Sequence, residues 1–193
     1  LYNTAMKKIL RAIKVRIVYG RLFLTGNMSS ALAGFFLLPA FLRPSVDSVK
    51  SIKLYGHSFV TPEGERENRT VLNLIHEIIG LNQYRVELIK KNGVVIDAGA
   101  NMGVFSVFAA ATHPDAIIYS FEPALATFEI LKKNAAGYPN IKAFNCGLGE
   151  KNKTASLVIG SNSEVSYIGE GGSPIEVKAI DSFGLSVSLI KID

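Results

Sequence analysis

The second half of the chain alternates short apolar runs with longer segments that end at proline or glycine. Apolar runs at 94–98, 117–122 and 141–146 have the length of buried strands. Segments 103–112 and 123–136 are predicted helices, because each stops just before a helix-breaking residue. Strands that alternate with helices of this length favour an α/β fold, with a mostly parallel sheet covered by helices on both faces.

The first half of the chain has a less regular pattern. Residues 46–60 alternate only roughly and predict a strand pair or a loose β segment. Residues 65–81 place apolar side chains on one helical face and predict a helix. We therefore expect three parts: an N-terminal arm at 1–46, a lead-in β segment and helix at 47–92, and an α/β domain at 93–193.

The N-terminal arm combines basic and apolar residues. Residues 5–24 mix six bases with apolar residues at helical spacing, and 30–42 form an apolar run. This run is shorter than the ~20 residues of a membrane-spanning helix. Residues 5–42 are consistent with peripheral contact at an anionic membrane, with a helix packed on its own domain, or with a secretory signal. Because no clear small-x-small cleavage site follows Leu42, we favour a membrane-associated or buried arm over export.

The net charge of +5 suggests nucleic-acid binding until it is divided along the chain. The first 46 residues carry seven bases and no acid, whereas the remaining residues carry 14 bases and 16 acids. The positive charge therefore belongs to the arm, and we expect no nucleic-acid partner for the body of the chain.

Cysteine and histidine usage limits the chemistry further. Cys146 is the single cysteine, which excludes an intrachain disulfide and an all-cysteine zinc site and is consistent with a cytoplasmic location. The three histidines are far apart in the sequence, so we expect no metal site.

Glycines and an acidic residue follow the first predicted strand. Asp97 ends the strand, and Gly99 and Gly103 predict a tight turn into a helix, where a ligand can approach the backbone amides. The spacing departs from the G-x-G-x-x-G of dinucleotide-binding proteins, because Ala100 and Asn101 stand where glycine is expected. A carboxylate at Asp97 would repel a pyrophosphate and attract an ammonium or a sulfonium. This turn therefore favours an aminoacyl nucleoside.

The second and third strand ends supply further candidate contacts. Glu122 ends the second strand, where a carboxylate can accept both hydroxyls of a ribose. Alternatively, Glu122 caps the helix that begins at Pro123. The third strand ends at Cys146, Gly147 and Leu148, which can cover an adenine through the backbone and the leucine side chain. We interpret the cysteine itself as a small buried residue and not as a nucleophile.

Several motifs in order carry a family resemblance. The segments VIDAGANMGVFSVFAA, IYSFEPALATFEILKKN, FNCGLGEKNKTASLVI and AIDSF…LIKID resemble the FkbM family of S-adenosylmethionine-dependent methyltransferases. The resemblance covers residues 93–193, about half of the chain, and 61–79 looks like the lead-in helix of these enzymes. Lys191-Ile192-Asp193 is similar to the start of the family's K-I-D-V-E-G motif. Because the motif is incomplete and the first residue is Leu1, we expect the chain to be a piece of a longer polypeptide.

The resemblance implies a Rossmann-like class I methyltransferase fold with S-adenosylmethionine as its cofactor. The implied contacts are Asp97, Gly99, Ala100, Asn101 and Gly103 at the methionine end, Glu122 with Pro123 at the ribose, and Cys146, Gly147 and Leu148 at the adenine. It also implies O-methyl transfer to a hydroxyl on a sugar or another small metabolite.

The sequence leaves more than one possibility for the catalytic group and for the class of function. Asp193, at a strand end, is the first candidate for a base or an acceptor-positioning group, and it can equally bind the cofactor or a helix amide. An NAD-linked oxidoreductase of similar topology and a non-catalytic membrane-surface module are the competing functions. The sequence identifies neither the methyl acceptor nor the oligomeric state.

Overall fold

A computed structural model of the protein describes residues 51–54, 56–62, 71, 74–160 and 166–192. The predicted arm at 1–46 and the candidate base Asp193 lie outside the described residues, so the membrane contact of the arm and the role of this aspartate stay predictions. The division of the chain at 46 and 92 likewise stays a prediction.

The lead-in segment begins with a β-hairpin. Strands β1 (Ser51–Leu54) and β2 (His57–Val60) pair antiparallel, which confirms the strand pair predicted over 46–60. Residues 71, 74 and 75 are helical and His76–Gly80 forms a π-helical turn, while 65–70 of the predicted helix lie outside the described residues. A short 3-10 turn, Val86–Leu88, leads into the main sheet.

The central sheet has four parallel strands among the described residues, and the last of these strands along the chain lies beside the first. Its elements are β3 (Val94–Ala98), α1 (Val104–Thr112), β4 (Ile117–Phe121), α2 (Leu125–Ala135), β5 (Ile141–Phe144) and β10 (Leu189–Ile192). The predicted strands and helices are confirmed, with ends that differ by one or two residues. Numbered along the chain, these strands have the order 4-1-2-3, which is the Rossmann-like arrangement.

Alternation along β3 separates two cores. Val95 faces the main core with Phe105 of α1, the hairpin and the π-helical turn. Ile96 faces the opposite side and packs with Phe121 and a 3-10 turn, Ile180–Phe183. The rings of Phe121 and Phe183 meet edge to face at 5.1 Å between centroids. Both faces of the sheet are therefore covered, which buries its continuous apolar strands.

A second sheet stands beyond the end of β5. Its strands β6 (Gly147–Gly149), β7 (Lys153–Ile159), β8 (Ser166–Ile168) and β9 (Ser173–Ala179) have the order β6-β9-β7-β8. Strand β6 runs parallel to β9, while β7 pairs antiparallel with β8 and β9. Because β6 begins three residues after β5 ends, this sheet lies next to the carboxyl edge of the central sheet.

Candidate functional site

A cleft of about 530 Å³ opens at the carboxyl edge of the central sheet. Ligands of open parallel sheets bind at this edge. Both sheets contribute to the wall, and Glu122 is the one charged side chain among the described residues that line it. The lining residues are Ala98, Gly99, Asn101, Glu122, Pro123, Gly147, Leu148, Gly149, Leu157, Tyr167, Ile168, Ile175, Val177, Ile180, Ile190 and Ile192.

The turn after β3 is held against β4 by its own backbone. The N–H groups of Gly99 and Ala100 both donate to the carbonyl oxygen of Phe121, at 3.0 and 2.9 Å. Gly103 donates to the carbonyl oxygen of Ala100 at 2.9 Å and then starts α1 with a φ of 88°. A positive φ of this kind favours glycine. The tight turn predicted from the two glycines is therefore present.

Fewer amides of this turn face outward than the sequence suggests. The N–H of Asn101 donates to Glu122, and the N–H of Met102 donates to the side-chain oxygen of Asn101 at 2.7 Å. The backbone donors from Gly99 to Gly103 thus have partners within the chain. What the turn presents to the cleft is the backbone of Gly99 and the residue Asn101.

Glu122 lies at the end of β4 and is largely buried. One carboxylate oxygen accepts the N–H of Asn101 and the other accepts the N–H of Ala124, each at 2.9 Å. The helix α2 begins at Leu125 and not at Pro123, its N-cap is Ala124, and it has no side-chain capping hydrogen bond, so Glu122 does not cap it as the alternative interpretation predicted. Since a carboxylate has about four acceptor sites, further hydrogen bonds from a ligand remain available to it. Burial raises the pKa of Glu122 above its ordinary value, and the two amide donors act in the opposite direction.

Asp97 lies beneath the turn and not on the wall of the cleft. Its side chain is fully buried. The hydroxyl of Ser106 on α1 donates a hydrogen bond to its Oδ2 at 2.5 Å. The ammonium of Lys191 lies 3.1 Å from Oδ1. The carboxylate of Asp97, which the sequence analysis expected to attract a positively charged ligand, is therefore already paired with Lys191.

The polar groups around Asp97 form one row across the sheet. The register places Lys191 of β10 and Ser120 of β4 on either side of this aspartate. The hydroxyl groups of Ser106 and Ser120 lie 2.7 Å apart. The two serines and the role of this lysine were missed by the sequence reasoning. The signal in the sequence is a lysine inside the apolar strand Leu189–Ile192, because a parallel strand that is covered on both faces normally has no charged side chain.

The adenine-side candidates separate into two groups. Gly147 and Leu148 line the cleft, as does Pro123, the candidate at the ribose. Cys146 is 5% exposed and packs in the second core, and burial raises the pKa of its thiol. This placement agrees with the interpretation of the cysteine as a small buried residue.

The order of the strands, the turn after the first of them and the acid at the end of the second define a Rossmann-like α/β protein with a ligand cleft at the carboxyl edge. No protein-family model matches the chain. Methyltransferase sdnD of Sordaria araneosa is 34% identical over 84 residues, which are 42% of this chain and 32% of that protein. The 31-O-demethyl-FK506 methyltransferase FkbM of Streptomyces tacrolimicus is 43% identical over 53 residues, 28% of this chain and 20% of that protein. The resemblance to FkbM-type methyltransferases is thereby confirmed.

The chain spans a third or less of the length of these curated relatives. Among solved structures, M. jannaschii TYW2 in complex with AdoMet aligns with a TM-score of 0.39 at 18% identity, over 49% of this chain and 41% of that one. In the part of the chain that the structure describes, no helix has the length and apolar character needed to cross a membrane.

Proposed function

We propose that this chain carries the cofactor-binding part of an S-adenosylmethionine-dependent methyltransferase. The observation that carries the proposal is the position of Glu122, a carboxylate on the cleft wall at the end of the second strand, with acceptor capacity left for a ribose diol. The curated relatives named as methyltransferases support the same function.

The cofactor would lie along the carboxyl edge from the turn to the second sheet. Gly99 and Asn101 would contact its methionine end, with Asp97, Ala100 and Gly103 shaping the turn from below. Glu122 and Pro123 would contact the ribose. Gly147 and Leu148 would cover the adenine, with Cys146 packed beneath them. This assignment keeps all the residues implied by the resemblance, although three of them act through the shape of the turn.

We further propose O-methyl transfer to a hydroxyl of a sugar or another small metabolite. The name of the FkbM relative, a 31-O-demethyl-FK506 methyltransferase, supports an oxygen acceptor. The cofactor supplies a methyl group on a sulfonium, which is already a good leaving group. The transfer would require the acceptor hydroxyl to give up its proton as the methyl group leaves the sulfonium, and Asp193 is the candidate base that would take this proton. The protein mainly aligns the two reactants.

Calorimetric titration of the full chain with S-adenosylhomocysteine and, separately, with NAD tests the cofactor. We expect binding of S-adenosylhomocysteine and none of NAD. Glu122→Gln should weaken binding about tenfold or more, because a charge-assisted hydrogen bond is lost. Glu129→Gln is the matched control, since Glu129 is an exposed glutamate of α2 that pairs with Lys132. Binding of NAD alone would overturn the proposal in favour of an oxidoreductase.

A further inference from the structure

Lys191 is buried in a way that is rare for lysine. Its side chain is 2% exposed and that of Asp97 is 0% exposed. Taking an ammonium and a carboxylate out of water is costly unless both are paired and hydrogen-bonded. The position is nevertheless specified by the fold, because the parallel register sets Lys191 directly beside Asp97.

The lysine reaches beyond its ion pair to the turn at the cleft. Its Nζ donates to the carbonyl oxygen of Gly99 at 2.7 Å and also lies 5.5 Å from the ring centroid of Tyr84. One side chain therefore joins β10, the end of β3, the turn and the segment before the central sheet. Charge-assisted hydrogen bonds of this kind are stronger than those between neutral groups.

The Gly99–Ala100 peptide is held from both of its edges. Its carbonyl accepts from Lys191, and its N–H, which belongs to Ala100, donates to Phe121. In a trans peptide the C=O and N–H groups are coplanar and point in opposite directions. Two hydrogen bonds on opposite edges fix the orientation of that plane, which glycine at φ 74° would otherwise leave free to rotate.

We infer that Lys191 is a positioning residue of the cleft: its ammonium fixes the plane of the Gly99–Ala100 peptide and so shapes the surface that the turn presents to the methionine end of a nucleoside cofactor. The consequence for the cofactor rests on the proposed function, whereas the fixing of the peptide does not. The role goes beyond charge balance with Asp97, because it acts through the carbonyl of Gly99.

The test separates positioning from charge balance. Lys191→Met combined with Asp97→Asn removes both charges together, so no uncompensated ion is left in the interior. Amide hydrogen exchange by NMR then compares Ala100 with Ile118, whose N–H donates to the carbonyl of Asn140 in the same sheet. We expect exchange at Ala100 to accelerate about tenfold or more relative to Ile118, since one edge of its peptide is released. Equal changes at both amides, or none, would overturn the inference.

Ligand binding gives the second readout. The double variant should bind S-adenosylhomocysteine about tenfold more weakly than Asp97→Asn alone, or than wild type if that single variant does not fold. Lys142→Met is the matched control, because Lys142 is an exposed lysine of β5 that lies 5.1 Å over the ring of Tyr119. If wild type fails to bind, the proposed function fails, and exchange at Ala100 still decides the role of Lys191. If wild type binds and the double variant matches Asp97→Asn, the positioning role is wrong.

Discussion

The Glu122 carboxylate accepts the backbone N–H of Asn101 at 2.9 Å and thereby joins the end of β4 to the turn after β3. The two residues are 21 positions apart in sequence and both line the cleft. A change in the charge of this carboxylate therefore affects a ligand in two ways: directly, and through the position of the turn.

Cofactor affinity should depend on the protonation of Glu122. Burial raises the pKa of this carboxyl group, and ribose hydroxyls donate most strongly to its ionised form. Affinity for S-adenosylhomocysteine should be constant above the raised pKa and should fall as the pH drops through it, at a higher pH than for an ordinary glutamate. Calorimetry across a pH series measures this, and Glu122→Gln should remove the acid-side loss. A loss of the same size in Glu122→Gln would assign it to another group.

Protonation of the same carboxyl group should affect stability in the opposite direction: it weakens ligand binding but stabilises the folded protein. Because the folded protein holds this proton more tightly than the unfolded chain does, the free energy of unfolding should fall as the pH rises from about the ordinary value of 4.5 through the raised pKa. Urea denaturation of wild type and Glu122→Gln measures the difference. The gap between the two proteins should change with pH over this window, and a constant gap would show that the group does not titrate there.

Asp97→Ala should destabilise the fold by ~3–5 kcal/mol, because it leaves the ammonium of Lys191 buried without a counter-charge. Combining Asp97→Ala with Lys191→Met removes that charge and should recover a large part of the loss. Chemical denaturation of both variants provides the measurement. Additive losses in the double variant would mean that the two residues are not energetically coupled.

Gly103→Ala should cost ~1–3 kcal/mol, for two structural reasons. Gly103 has a φ of 88°, and a Cβ there would lie 2.5 Å from Cδ1 of the buried Leu131. Gly137→Ala is the control, since a Cβ at Gly137 meets nothing within 4 Å. We expect its stability to change by less than ~1 kcal/mol. Thermal melts of the two variants check the contrast, which equal shifts would refute.

Asn134→Ala should loosen the hairpin from the central domain. The side chain of Asn134 accepts from the N–H of Val60 at 2.6 Å and donates to the carbonyl oxygens of Val60 and Met102 at 3.1 and 2.9 Å. Leaving these groups without a partner should cost ~2–4 kcal/mol. Lys133→Ala, at the neighbouring exposed position of α2, is the control. Denaturation midpoints measure both, and we expect the control to remain close to wild type.

The central sheet was predictable because its strands are continuous apolar runs and its helices end at proline or glycine. The second sheet was not: no strand is predicted from the sequence pattern between 147 and 179. Strands β7 and β9 have one buried residue each, Leu157 and Val177, and their other residues are exposed or partly exposed. With so few buried positions, neither strand shows a clear alternation of apolar and polar residues.

The candidate site was predictable where it depends on local motifs and not where it depends on register. Glu122 and Gly99 follow strands directly and lie on the cleft wall as expected. The burial of Asp97 depends on Lys191, which is 94 positions away and reaches it only because β10 lies next to β3. Local spacing carries no information on which strand occupies that position.

The hydrogen bond from Lys191 to Gly99 spans 92 positions of sequence. Strands β3, β4 and β5 can pair in succession as the chain leaves the ribosome, but the turn at the cleft is complete only after β10 has docked against β3. Contacts at such separation form late, since a long loop must close first. The shape of the turn that faces the cleft thus depends on a strand that joins the central sheet across a long loop.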